Sequence, residues 1–215
     1  DFDALFKQQH LIDKFSSEII FMHRLDLLSV MNITEIPCVV LTDTMEQEEI
    51  LKNLEILSEN SFSPVVEESA KNIIKIISQR GKEEIFRQYQ ELFLIPFGEF
   101  IPLSISWYHE QREGGVMQLK VKDILGKTKI RRDENSFTAQ EDHFGFTFTL
   151  SAYLLEKQLN NEIKEDLQKE LFVEVLNPYL DKLFYKLIST KSDIYSNVGF
   201  ILESFYGFEK GYLEL

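Results

Sequence analysis

Eighteen phenylalanines stand against nine glycines and five prolines in this chain of 215 residues, and that imbalance limits what it can fold into. Sandwiches and barrels need many tight turns, and tight turns draw on glycine and proline. So few turn residues with so many large apolar side chains suit long helices that bury an apolar face. Hydrophobic residues make up 44% and charged residues 27% of the chain, the balance of a folded protein and not of a disordered one. The length supports one core and is short for two independent domains. The expected fold class is therefore all-α, a single helical bundle-like domain.

The spacing of apolar residues agrees from Thr44 onward. Thr44 and Gln47 form a Thr-x-x-Gln capping pattern ahead of Ile50, Leu51, Leu54 and Leu57 at helical intervals. Ser63 and Pro64 read as the N-cap and first turn of a second helix, striped by Val66, Ala70, Ile73, Ile74 and Ile77 and ended by Gly81. A third carries Ile85, Phe86, Tyr89, Leu92 and Phe93 on one face. Phe172, Leu176, Leu180, Leu183, Phe184 and Leu187 keep the period through Pro178, which predicts a kink or restart there. Ile194, Val198, Ile201, Phe205 and Phe208 make the last stripe. The segment from Phe2 to about Met31 is mostly helical by pattern. Ile36 to Leu41 would suit a strand but has no partner. Phe144, Phe146, Phe148 and Leu150 alternate as in a strand, while Phe144, Phe148, Leu155 and Leu159 fit a helix; periodicity leaves both readings open. Gly114, Gly115, Gly126 and the polar stretch from Arg131 to Glu141 predict loops or a hinge.

The formal charge is −13, a field that repels phosphate backbones and anionic lipid, so nucleic acid is not an expected partner and a cationic one is compatible. Cys38 is the only cysteine, which excludes an intrachain disulfide and a cysteine-built cluster and fits a reducing cytoplasm. No apolar run approaches the roughly 18 residues of a membrane span, and the opening DFDALFKQQH is acidic where a signal peptide is basic. Cytoplasmic location without membrane insertion is expected.

His10, His23, His109 and His143 form no ligand pair of metalloprotease type, so neither metal nor cofactor is expected. Gly126-Lys127-Thr128 lacks the earlier glycine of a phosphate loop, that place being Val121, and reads as a helix end. Asp142 beside His143 has the composition of an acid/base pair, but neighbours in sequence seldom face each other, and Asp142 capping a helix that begins at His143 is the plainer reading. Trp107 and Tyr108, shortly after Pro102, suit a binding groove or a core.

Four motifs follow in order: YQELFLIPFGEFIPLSISWYHEQ, EDHFGFTFTLSAYLLE, FVEVLNPYLDKLFYKLI and IYSNVGFILESFYGF. Their order and spacing, over roughly residues 80 to 208, resemble the TorD/DmsD/NarJ family of redox-enzyme maturation chaperones. That family's signature is an Asp-His pair, a small residue one position further on, and an apolar helix; Asp142, His143, Gly145 and Ala152-Tyr153-Leu154 match it. Where many relatives have Tyr-Glu-Ser, this chain has Ser104, Ile105 and Ser106, and Thr147 and Thr149 replace acidic residues common after the signature.

The resemblance implies helix for the alternating Phe region. It also implies lobes of about residues 1–130 and 142–215 joined by a hinge near residues 131–143, and binding without catalysis. The partners it implies are the twin-arginine signal peptide and the apo-form of a molybdoenzyme catalytic subunit; a hinge loop between lobes is compatible with a monomer or a domain-swapped dimer. An Arg pair joined to an apolar helix-forming segment calls for a hydrophobic groove with carboxylates at one end. Pro102, Ser106, Trp107, Tyr108, Asp142, His143, Phe144 and Gly145 are the candidate peptide-binding residues, each with a structural alternative. Two other readings stand beside this one: an assembly factor that recognises only the mature subunit, and a small nucleotide hydrolase.

Overall fold

A computed structural model of the chain describes residues 47–60, 63–95, 98–134 and 137–215. The predicted helix over residues 2–31, the run Ile36 to Leu41, Cys38, the cap residue Thr44, His10 and His23 lie outside the described residues. Among the described residues the regular structure is all helical, as expected.

Helix α1 spans Gln47–Asn60 and buries Ile50, Leu54 and Leu57 completely. Helix α2, Pro64–Arg80, starts where the sequence places it, with Ser63 as N-cap and Pro64 in the first turn. Proline suits that position because its missing N–H has no helical partner to lose. Val66, Ala70, Ile73 and Ile77 are buried along one side of α2. Gly81 ends it at φ +91°, a conformation that favours glycine, and donates its N–H to the Ile77 carbonyl at 2.9 Å. Helix α3, Glu83–Tyr89, opens into a wide π turn, Gln90–Leu94, closed by the Ile95 N–H on the Gln90 carbonyl at 3.0 Å. Phe86, predicted on the buried face, is 44% exposed, because the inward face of so short a helix is filled by Ile85, Gln88 and Tyr89.

Short helices α4, Ile105–Glu110, and α5, Val116–Gly126, follow, and the Gly-Lys-Thr triplet is a helix end, with the Thr128 hydroxyl donated to the Leu125 carbonyl at 2.8 Å. Helix α6, Phe144–Leu159, settles the alternating segment. It is buried on several sides, with Thr147 and Ser151 inside as well as Phe144, Phe148, Leu150 and Leu154, so no single stripe stands out in its sequence. Helix α7, Leu167–Leu171, runs into a second π turn, Phe172–Leu176, which stops ahead of Pro178. The chain restarts in α8, Leu180–Ile188, and ends in the long α9, Asp193–Leu213.

Helix α9 packs against α2, α3 and α8, α1 lies on α2, and α5 rests on α4 and α7. Aromatic edges bind these layers: Phe148 and Phe172 each meet Phe205, at 5.6 and 5.8 Å, and Phe93 meets Tyr195 at 5.0 Å. Such pairs each add about 0.5–1.5 kcal/mol beyond area burial.

Where α2, α3 and α9 converge, Arg80 pairs with Asp193 at 2.7 Å, and Gln88 donates to both Asp193 and Glu84. The Arg87 guanidinium, then Gln88, hold the Glu84 carboxyl down at about 2 against an ordinary 4.5. A depressed carboxylate contributes stability above its unfolded pKa and loses it as pH falls through the folded value. This junction is expected to be at full strength above pH 4.5 and to weaken down to about pH 2. Acid titration of Glu84→Gln against the parent, followed by circular dichroism, checks it: the two should converge at the acid end. The effect is small, since Arg87 is half exposed and solvent screens the pair.

Candidate functional site

The segments leading into α4 and α6 lie side by side. Ser104 and His143 form an isolated antiparallel bridge, flanked by the Ile105 N–H on the Asp142 carbonyl at 2.9 Å and the Phe144 N–H on the Leu103 carbonyl at 2.8 Å. Two helix starts therefore share one clasp, and both need partners for their first amides.

The adjacent acid and imidazole serve different helices. His143 is the N-cap of α6, its Nδ1 accepting the Gly145 N–H at 3.1 Å, which an imidazole can do only with Nδ1 unprotonated. Asp142 reaches the other way. Its Oδ2 accepts the Ser104 hydroxyl and the Ser106 N–H, both at 2.9 Å, so it satisfies the start of α4. This corrects the reading of Asp142 as cap of the helix after His143: α6 begins one residue later and His143 caps it.

Asp142 is fully buried, and its second oxygen, Oδ1, has no hydrogen-bond partner. A buried acceptor left unmade costs about 1–3 kcal/mol, and more when charged. The residue also lines a cavity of about 270 Å³, together with Tyr89, Phe93, Phe100, Pro102, Phe137 and His143 and with Leu94, Ser104 and Glu113. Phe137 meets the His143 ring edge-on at 5.4 Å and stacks on Phe146 at 5.7 Å. A cavity lined by aromatic rings and by Glu113, Thr138 and Gln140, with a buried and half-satisfied carboxylate in its wall, suits a ligand that offers both an apolar body and a hydrogen-bond donor.

Three candidates from the sequence, Pro102, Asp142 and His143, line this cavity. Ser106 is buried and outside the lining, its Oγ accepting the Gly115 N–H at 3.1 Å and so joining α4 to α5. Phe144 is a core residue, edge-on to Tyr108 at 5.8 Å. The Tyr108 hydroxyl donates to the Pro102 carbonyl at 2.9 Å, and burial pushes that phenol well above its ordinary value. Gly145 is buried and supplies the capped amide. Trp107 is 37% exposed and outside the lining.

The residues missed are the walls contributed by Tyr89, Phe93, Leu94, Phe100 and Phe137, and Ser104. Phe137 carried a signal, a lone aromatic in a polar stretch. Ser104, in sequence a departure from the family pattern, donates to Asp142.

A larger cavity, about 560 Å³, opens between α3 and the α8–α9 turn. Its Arg80, Arg87, Glu91 and Asp193 neutralise one another in ion pairs, whereas Asp142, the residue with the unsatisfied oxygen, lines the smaller one. Among the described residues no group of three or more His, Cys, Asp or Glu could hold a metal ion, and no helix is long and apolar enough to cross a membrane.

A family model described as "Nitrate reductase delta subunit" matches residues 59–185, more than half of the chain. The match takes in α2 through most of α8, the clasp and the cavity included. No curated protein matches the chain.

Proposed function

From the premise that the chain belongs to the nitrate reductase delta subunit family, a family of molybdoenzyme maturation chaperones, we propose that it binds the twin-arginine signal peptide of such an enzyme's catalytic subunit. In this reading it holds the apo-subunit in the cytoplasm until cofactor insertion. The observation that carries this is the free Oδ1 of buried Asp142 beside an aromatic cavity. A guanidinium offers donors to that oxygen, and charge-assisted bonds of this kind are roughly twice as strong as neutral ones. The apolar part of the signal has Phe93, Phe100 and Phe137 to rest on. A net charge of −13 draws a basic peptide toward the surface. The segment near residues 131–143 acts as the joint between the two lobes, which also makes a domain-swapped dimer accessible beside the monomer.

Titration calorimetry of the full chain against signal peptides from the source organism's molybdoenzymes tests this. One peptide is expected to bind saturably, and its Arg-to-Gln form at least tenfold more weakly. Equal binding of both forms refutes the role given to Asp142. A second reading, recognition of the mature subunit alone, is favoured by the exposed Leu94, Ile95 and Phe100 near the cavity, which widen the apolar face beyond what a short peptide covers. It prevails if every peptide fails and the apo-subunit binds.

A further inference from the structure

Phe137 belongs to no regular element, yet its ring forms one side of the cavity. Something must hold it there. Arg132 Nη1 donates to the Phe137 carbonyl at 2.7 Å. The same guanidinium lies with Nε 3.3 Å from Glu141 Oε1, an ion pair off the hydrogen-bond line. Both side chains are 9% exposed. Glu141 is in turn fixed to α5, its Oε2 accepting from Gln118 at 2.7 Å and lying 3.6 Å from Lys122 Nζ. Burial alone would raise the Glu141 carboxyl, but Gln118, its own backbone N–H, Arg132 and Lys122 together hold it below the ordinary value. Arg132 also reaches the exposed Glu134 at 3.2 Å, a pair worth little in water.

We infer that Arg132 and Glu141 are positioning residues, a clamp that ties the Phe137 backbone to α5, presses its ring against His143 and so sets the aromatic wall that selects the ligand's apolar side chain. Neither needs to touch the ligand. The planar guanidinium suits this work, since it can address a carboxylate and a carbonyl at once, where an ammonium is a single point charge. As far as it concerns a ligand, the inference rests on the cavity being the peptide site; as far as it concerns Phe137, it does not.

Two readouts separate these. In the ligand-free chain, the His143 Cε1 proton senses the Phe137 ring, and its NMR shift is expected to move in the same direction in Arg132→Gln and Phe137→Ala. With the signal peptide that the parent binds, each variant is expected to bind about tenfold more weakly, and the double variant no more weakly than Phe137→Ala, because one acts through the other. Additive losses near a hundredfold, or a His143 signal moved by Phe137→Ala and untouched by Arg132→Gln, overturn the clamp. If the parent binds no peptide, the proposed function fails and the His143 signal alone decides. Should Arg132→Gln not fold, Glu141→Gln replaces it: this near-isosteric change removes the charge that orients Arg132, and a smaller shift in the same direction is expected. An unmoved His143 signal in that variant overturns the clamp equally.

Discussion

Asp142→Asn is expected to keep the fold and lose the ligand. The amide oxygen can take over the Ser104 and Ser106 bonds now made by Oδ2, which turns the amide NH₂ toward the place of the free Oδ1. A buried acceptor becomes a donor, and the guanidinium of the proposed ligand would meet repulsion in place of a charge-assisted bond. Binding of the signal peptide should fall by about 2 kcal/mol, roughly thirtyfold, while stability drops by about 1 kcal/mol. Asp142→Ala separates the two roles. It leaves the Ser104 hydroxyl and the Ser106 amide without their acceptor, at a cost of about 3 kcal/mol, or roughly 6–12 °C in Tm for a chain of this size. Calorimetry for affinity and thermal melting for stability are the measurements. If Asn unfolds the chain as Ala does, Asp142 is a structural residue alone. If Asn binds the peptide as the parent does, the free oxygen is not part of the site.

Gly199→Ala is expected to be among the most damaging single methyl additions in the described chain. Gly199 is buried in α9 where α9 lies close against the end of α8. A Cβ there would lie 2.8 Å from Ile188 Cγ1, 2.9 Å from the Ile188 backbone nitrogen and 3.1 Å from Leu187 Cβ. The side chain of Ile188 could turn away, but the backbone atom cannot. The helices must separate, and overpacking of this kind costs about 1–3 kcal/mol, occasionally more; a fall in Tm of roughly 6–12 °C follows from the upper end. Gly207→Ala, in the same helix with nothing within 4 Å of its new methyl, is the control. It should gain about 0.5–1 kcal/mol from helix propensity. Thermal melts of the two variants should move in opposite directions. A neutral Gly199→Ala would mean that α8 and α9 can part at this point without cost.

Much of the fold is legible in the chain because its signals are local. Ser63 with Pro64, Gly81 and the stop ahead of Pro178 mark boundaries through backbone constraints that act within a turn, and the stripes of α2, α8 and α9 repeat often enough to be read. Helix α6 defeats the same method because burial on several sides removes the contrast that periodicity needs; there the family resemblance decides, and α6 is helical. Asp142, His143 and Pro102 could be picked out by motif, but not what they hold. Ser104 and Asp142 are 38 residues apart, and nothing local announces that pairing. The Arg132 tie to Phe137 depends likewise on a carbonyl, which has no sequence signature at all.

The clasp between Ser104 and His143 also bears on the order of folding. Helices form from contacts a few residues apart and form early, whereas a contact spanning 38 residues must wait for the chain between to be drawn together. Loop-closure entropy is met once, and both helix starts share it. The cavity is therefore expected to mature after the helices that flank it, and before α9 closes the longer loop back to Gln88, 105 residues away. A nascent chain with its helices formed but its clasp open would present no completed chamber. If the cavity is the peptide site, readiness to bind would then report that the two helix starts have already been brought together.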